Sequence, residues 1–137
     1  MGTPARSRSV VEAPLVLVAE DHEDNRMIAT AALRHAGFRV IEAVDGTSAL
    51  EVARLEHPDV VVLDAGMPGL DGFSVARSLK GDQPTRRILI LMVTAHALPE
   101  DRVRAVDAGV DMFHTKPIGP AALIAAVQSL LRHSDPA

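Results

Sequence analysis

Four apolar residues in a row, Val60-Val61-Val62-Leu63, stand between Asp59 and Asp64. The run is too short for an ordinary helix and lacks the alternation of a strand with one wet face. It reads as a strand buried on both faces. A chain built around such a strand needs a covering layer on each side of the sheet. Asp64 falls at the strand's C-terminal end, before the loop Ala65-Gly66-Met67-Pro68-Gly69-Leu70-Asp71-Gly72. In open α/β sheets that edge is where ligands bind. Asp64 is therefore the candidate chemical centre.

The rest of the chain repeats the same unit. Leu15 to Ala19 forms a buried strand ending in Glu20-Asp21. Asp24 is a candidate N-cap for a helix that buries Met27, Ile28, Ala31 and Ala32, runs to about Ala36 and stops at Gly37. Phe38 to Ala43 is a second strand, and Asp45-Gly46 turns into a helix through Ala49, Leu50, Val52 and Ala53 that His57-Pro58 closes. A third helix carries Phe73, Val75, Ala76 and Leu79, with Asp71 as its cap, and residues 81–85 form a loop. Ile88 to Val93 is the fourth strand, ending at Thr94. Pro99 opens a fourth helix that buries Val103 and Val106 and stops at Gly109. Met112-Phe113-His114 is a short fifth strand leading to Thr115-Lys116-Pro117. Leu123, Ile124, Val127, Leu130 and Leu131 mark the last helix. The expected fold is α/β, a single doubly wound parallel sheet of five strands with five helices. The expected domain spans residues 14–133, between an N-terminal tail (1–13) and a C-terminal tail (134–137).

Composition closes off several classes of function. The 137 residues suit one domain, and the core must be aliphatic because there is no Trp or Tyr and only three Phe. Without cysteine there are no disulfides or thiolate metal sites, which suits a reducing cytoplasm. A net charge of −4 gives no basic footprint for direct nucleic-acid binding. No apolar run approaches membrane-spanning length, and residues 1–13 lack the apolar centre of a secretory signal.

The strand ends collect chemistry. Glu20 and Asp21 follow the first strand, Asp64 the third, Thr94 the fourth and Lys116 the fifth. Three carboxylates on one edge repel one another and call for a cation or protons. Oxygen-only donors of this charge suit a hard ion, Mg²⁺ in a cell. A lysine and a hydroxyl beside them match phosphoryl transfer to a carboxylate, where catalysis is positioning and charge neutralisation.

These pieces resemble a known family, the receiver domains of two-component response regulators. The resemblance runs from about Leu15 to Leu131. It is carried by Val18-Ala19-Glu20-Asp21, by Leu63-Asp64-Ala65-Gly66-Met67-Pro68-Gly69-Leu70-Asp71-Gly72, by Val93-Thr94-Ala95 and by Thr115-Lys116-Pro117-Ile118. The resemblance implies a flavodoxin-like sheet in the order 2-1-3-4-5. It implies that Asp64 accepts a phosphoryl group from a phosphohistidine on a histidine kinase or histidine phosphotransfer protein. Asp21 and Asp64 would ligate Mg²⁺, with Glu20 acting directly or through water and the Gly66 backbone carbonyl completing the protein ligands. Thr94 and Lys116 would contact the phosphoryl oxygens, and Lys116-Pro117 would be a cis peptide. Phe113 matches the family's switch aromatic, although a single aromatic in a short strand can equally be packing. Gly66 and His96 flank the path of the water that removes the phosphoryl group; His96 either orients that water or points into solvent.

The function implied by the resemblance is a phosphorylation-controlled switch, catalysing only its own phosphorylation and dephosphorylation. Its downstream protein would be met by the face of the fourth helix, fifth strand and fifth helix. The domain would be a cytoplasmic monomer, or a weak dimer on phosphorylation. The other reading is a Mg²⁺-dependent phosphatase or phosphotransferase on the same fold. Against it, Gly66 stands where a dehalogenase-type phosphatase needs its second acid. Asn25, Arg26 and Thr30, with the segment around Pro117, are the candidate determinants of kinase choice.

Overall fold

The computed structural model describes residues 12–95 and 97–133. Five strands, β1 (Leu15–Ala19), β2 (Arg39–Ala43), β3 (Val60–Asp64), β4 (Leu89–Thr94) and β5 (Met112–Thr115), form one sheet. All neighbours are parallel and the order is β2-β1-β3-β4-β5. The helices are α1 (Glu23–His35), α2 (Gly46–Glu56), α3 (Gly72–Gly81), α4 (Pro99–Ala108) and α5 (Pro120–His133), with a 3₁₀ turn at Gln83–Thr85 inside the expected loop.

Strand alternation divides the interior in two. Leu17, Val61, Leu63, Ile90 and Met92 point to one side, where they pack against residues of α2, α3 and α4. Val16, Val18, Val60, Val62, Leu91 and Val93 point to the other, against Leu33 of α1 and Leu123, Ala126, Val127 and Leu130 of α5. Leu63 is completely buried, and truncating such a side chain to alanine costs about 3 kcal/mol.

Two helices turn a different face inward than their apolar pattern suggests. In α1, Met27 and Ile28 are more than half exposed, whereas Thr30 and Leu33 are buried. The stretch Met27-Ile28-Ala29-Thr30-Ala31-Ala32 is apolar nearly all round, so periodicity alone does not fix its phase. In α4, Val103 and Val106 are exposed and Ala105 and Ala108 are buried. In α4 small side chains face the sheet and the larger apolar ones point to solvent, whereas in α1 Leu33 takes the inward place and Met27 and Ile28 point outward. The cap of α1 also moves: His22, not Asp24, accepts from the Asn25 N–H, through Nδ1 at 3.4 Å. Asp71 caps α3 as expected, accepting from the Ser74 N–H at 2.9 Å.

Candidate functional site

Parallel pairing lines up the C-terminal ends of the strands. Asp64 is the last residue of β3 and pairs with Val93; Thr94 ends β4 and pairs with Thr115. The Lys116 N–H donates to the Thr94 carbonyl at 2.8 Å, so the chain leaving β5 stays beside β4. The Lys116–Pro117 peptide is cis.

From there the Lys116 side chain reaches back across the sheet. Its Nζ lies 2.7 Å from Glu20 Oε1 and 3.1 Å from Asp64 Oδ2. Burial pulls the ammonium toward deprotonation, but hydrogen bonds to Glu20 and Asp64 and the attraction of both charges outweigh it. The amine is held above its ordinary value. Glu20 Oε2 accepts from the His22 N–H at 3.0 Å, and Asp64 Oδ1 from the Gly66 N–H at 3.0 Å.

Asp21 completes the cluster. Glu20, Asp21 and Asp64 can each offer a carboxylate oxygen such that the three lie within 4.8 Å of one another. Three carboxylates thus face one ammonium. Oxygens sharing a Mg²⁺ ion at bonds of about 2.1 Å stand about 3–4 Å apart. Small side-chain rotations bring these into range, so the donor set fits a hard divalent cation.

Glycines shape the approach. A Cβ on Gly72 would lie 2.6 Å from the Asp64 carbonyl oxygen, so only glycine lets α3 begin this close to the acceptor. At Gly46 a Cβ would collide with the Leu70 carbonyl, across the same loop. Neither role was apparent from the sequence, yet both glycines follow an aspartate that caps their helix, and that Asp-Gly step is the available signal. Gly66 is exposed, and a Cβ there would meet only Asp64 Oδ1, at 3.9 Å.

The remaining candidates divide. Thr94 is buried at the end of β4. Phe113 is half-buried against the core beneath α2, α3 and α4, with the Arg102 guanidinium 4.9 Å above its ring. His96 lies outside the described residues. Of the first-helix candidates, Asn25 is exposed, but Thr30 is buried and its hydroxyl donates to the Met27 carbonyl. Arg26 is turned inward, with its side chain only 15% exposed. A cleft of about 540 Å³ opens between α1 and α5 and ends at Glu20, Asp64 and Lys116; Ile28, Ile118 and Leu123 line its apolar part.

A doubly wound sheet with an acidic, lysine-bridged cluster at its strand ends is an α/β domain with its candidate site at the carboxyl edge of the strands. The sequence profile of the response regulator receiver domain matches residues 16–128, and the chain belongs to that family. It is 41% identical over 117 residues to the response regulator PleD of Caulobacter vibrioides, a match covering 85% of this chain and 26% of PleD. Among solved structures, the chemotaxis protein CheY4 of Vibrio cholerae is 28% identical with a TM-score of 0.81, covering 85% of this chain and 98% of CheY4. The receiver domain of the sensor histidine kinase PA1611 from Pseudomonas aeruginosa PAO1 is 31% identical with a TM-score of 0.76, covering 88% and 96%. That structure has a magnesium ion coordinated in its active-site cleft. The chain spans about a quarter to a half of the length of the curated relatives it matches. Among the described residues, no helix is long and apolar enough to cross a membrane.

Proposed function

We propose that this receiver domain is switched by transfer of a phosphoryl group to the Asp64 carboxylate from a phosphohistidine on a histidine kinase or histidine phosphotransfer protein. The observation that carries this reading is the contact of Lys116 with both Glu20 and Asp64, beside Asp21. An Asp64 oxygen attacks phosphorus, the phosphorus–nitrogen bond breaks, and the leaving imidazole keeps the electron pair of that bond. Asp21 and Asp64 would hold Mg²⁺, with Glu20 acting directly or through water and the Gly66 carbonyl as the remaining protein ligand. When bound, the ion neutralises charge on the transferring oxygens. Lys116 stays protonated at any physiological pH and follows a phosphoryl oxygen. The Thr94 hydroxyl takes another.

Moving Thr94 toward the phosphoryl group draws in the segment after β4 and lets Phe113 repack. The face of α4, β5 and α5 changes with it, a shift between two states biased only by contacts that differ between them. Leu98, Val103 and Val106 already expose apolar surface there. The phosphodonor protein approaches over Met27, Ile28 and the segment after Pro117. Gly66 leaves the path of water to the acyl phosphate open. The domain works in the cytoplasm and turns over no other substrate.

Mass spectrometry after treatment with a small acyl-phosphate donor and Mg²⁺ tests the reading. Wild type gains one phosphoryl group and Asp64→Asn gains none. Full modification of the variant would overturn the assignment. NMR with a stable phosphoryl mimic should move signals in α4 and at Phe113, and shifts confined to the metal cluster would remove the switch from the reading.

A further inference from the structure

We propose that Arg26 is a positioning residue for the acidic cluster, acting through the main chain of Glu20, and that Glu42 on the edge strand orients it. The inference rests on the reading of Glu20, Asp21 and Asp64 as a divalent-cation site.

β1 ends at Ala19, so the Glu20 carbonyl lies beyond its strand. Within three residues, Glu20, Asp21 and His22, the chain turns from the strand into α1. Arg26, in the first turns of α1, sends Nη1 back to the Glu20 carbonyl at 3.0 Å. Its Nε donates to Glu42 Oε1 at 3.1 Å. Glu42 belongs to β2, and the next residue, Ala43, accepts from the Glu20 N–H through its carbonyl at 3.1 Å. The peptide units on both sides of the Glu20 Cα are thus tied to the edge strand, one directly and one through the guanidinium. A planar guanidinium fixes two contact directions at once, which a lysine ammonium cannot.

The consequence falls on Asp21. Glu20 has its carboxylate held by Lys116 and by the His22 N–H, whereas Asp21 is exposed. The direction of its side chain follows from the peptide that precedes it, and that peptide carries the carbonyl held by Arg26. Glu42 also offsets part of the Arg26 charge, although it shares its carboxylate with Arg34. Arg34 supplies an internal control: it too reaches Glu42, at 3.4 Å, but its other contact is the Val40 carbonyl, away from the cluster.

Calorimetric titration of the unphosphorylated protein with Mg²⁺ tests the proposal. Removal of groups that orient metal ligands typically costs tenfold or more in affinity, so Arg26→Ala should weaken binding about tenfold. Arg26→Lys should not rescue it, Glu42→Gln should weaken it about threefold, and Arg34→Ala should leave it unchanged. An Arg26→Ala affinity within about twofold of wild type, or tighter because a positive charge has gone, would overturn the proposal. So would an Arg34→Ala loss equal to that of Arg26→Ala. Thermal unfolding without Mg²⁺ separates a purely structural role, in which the unfolding temperature falls while affinity holds. Should Arg26→Ala not fold, unaltered affinity in Glu42→Gln overturns the clamp. A wild-type protein that binds no Mg²⁺ would instead remove the cation reading, and this inference with it.

Discussion

At the N-terminal edge of the sheet, Lys80 Nζ meets Asp111 Oδ2 at 2.9 Å; at the C-terminal edge, Lys116 meets Glu20 and Asp64. The residue types match, but their surroundings differ. Lys80 also donates to the Ile88 carbonyl at 2.8 Å and the Arg86 carbonyl at 3.3 Å, and Asp111 accepts from the Ile90 N–H at 2.8 Å. One base meets one acid, and backbone groups supply further partners for both. At the other edge, two carboxylates share one ammonium beside an open cleft, and a third, that of Asp21, stands next to them. Balance and completeness make a pin, whereas excess like charge with an opening makes a site that can take up a cation.

The largest test of this contrast is catalytic. Lys116→Ala should slow phosphorylation by an acyl-phosphate donor about a hundredfold, the cost of losing one donor to a developing oxyanion. Lys80→Ala should leave that rate within about twofold of wild type. Equal losses would erase the distinction between pin and site.

Stability should respond with opposite signs. Asp111→Asn, followed by urea unfolding, should cost about 2 kcal/mol, between the values for exposed and buried pairs. Asp21→Asn removes one of three repelling carboxylates and should stabilise the cation-free protein by about 1 kcal/mol. Saturating Mg²⁺ should reverse the second result, because wild type then gains binding energy the variant lacks.

A smaller effect lies at alkaline pH. Folding raises the Lys116 pKa above 10.5. Below 10.5 the amine is protonated in both states and its contribution is present in full; as pH rises through the higher folded value the contribution is lost. The stability difference between wild type and Lys116→Met should therefore shrink above pH 10.5. A difference that stays constant there would contradict the bridged lysine.

The smallest effect concerns a carboxylate outside both clusters. Hydrogen bonds from the Ser48 backbone and side chain lower the Asp45 pKa below 3.8. Its contribution is present above 3.8 and lost as pH falls through the folded value. Asp45→Asn keeps a capping oxygen without titrating, so its unfolding curve should lose that acid dependence.

How much could be read from the sequence depended on the range of the interactions. The strands were legible because runs such as Val60-Val61-Val62-Leu63 allow little else, and parallel pairing then carries Asp64 and Lys116 to one edge. The phases of α1 and α4 were not: in α1 Leu33 sets the inward face and carries Thr30 with it, and in α4 Ala105 and Ala108 are buried while Val103 and Val106 are exposed. Arg26 read as a candidate determinant of kinase choice, and its contact with Glu42 was not legible because that partner lies sixteen positions away in β2. His22 displaced Asp24 as the cap of α1 because either side chain can accept there, and a shift of two residues in the helix start decides between them.

The division of the interior by the sheet has an evolutionary reading. Leu33 and Val127 never share a neighbourhood with Phe73 and Leu79, so volume lost on one face cannot be recovered by a larger side chain on the other. Compensating substitutions should pair within a face, and double variants across the sheet should combine additively. Each hydrophobic half can drift as its own mosaic piece, with the strand backbones the shared inheritance.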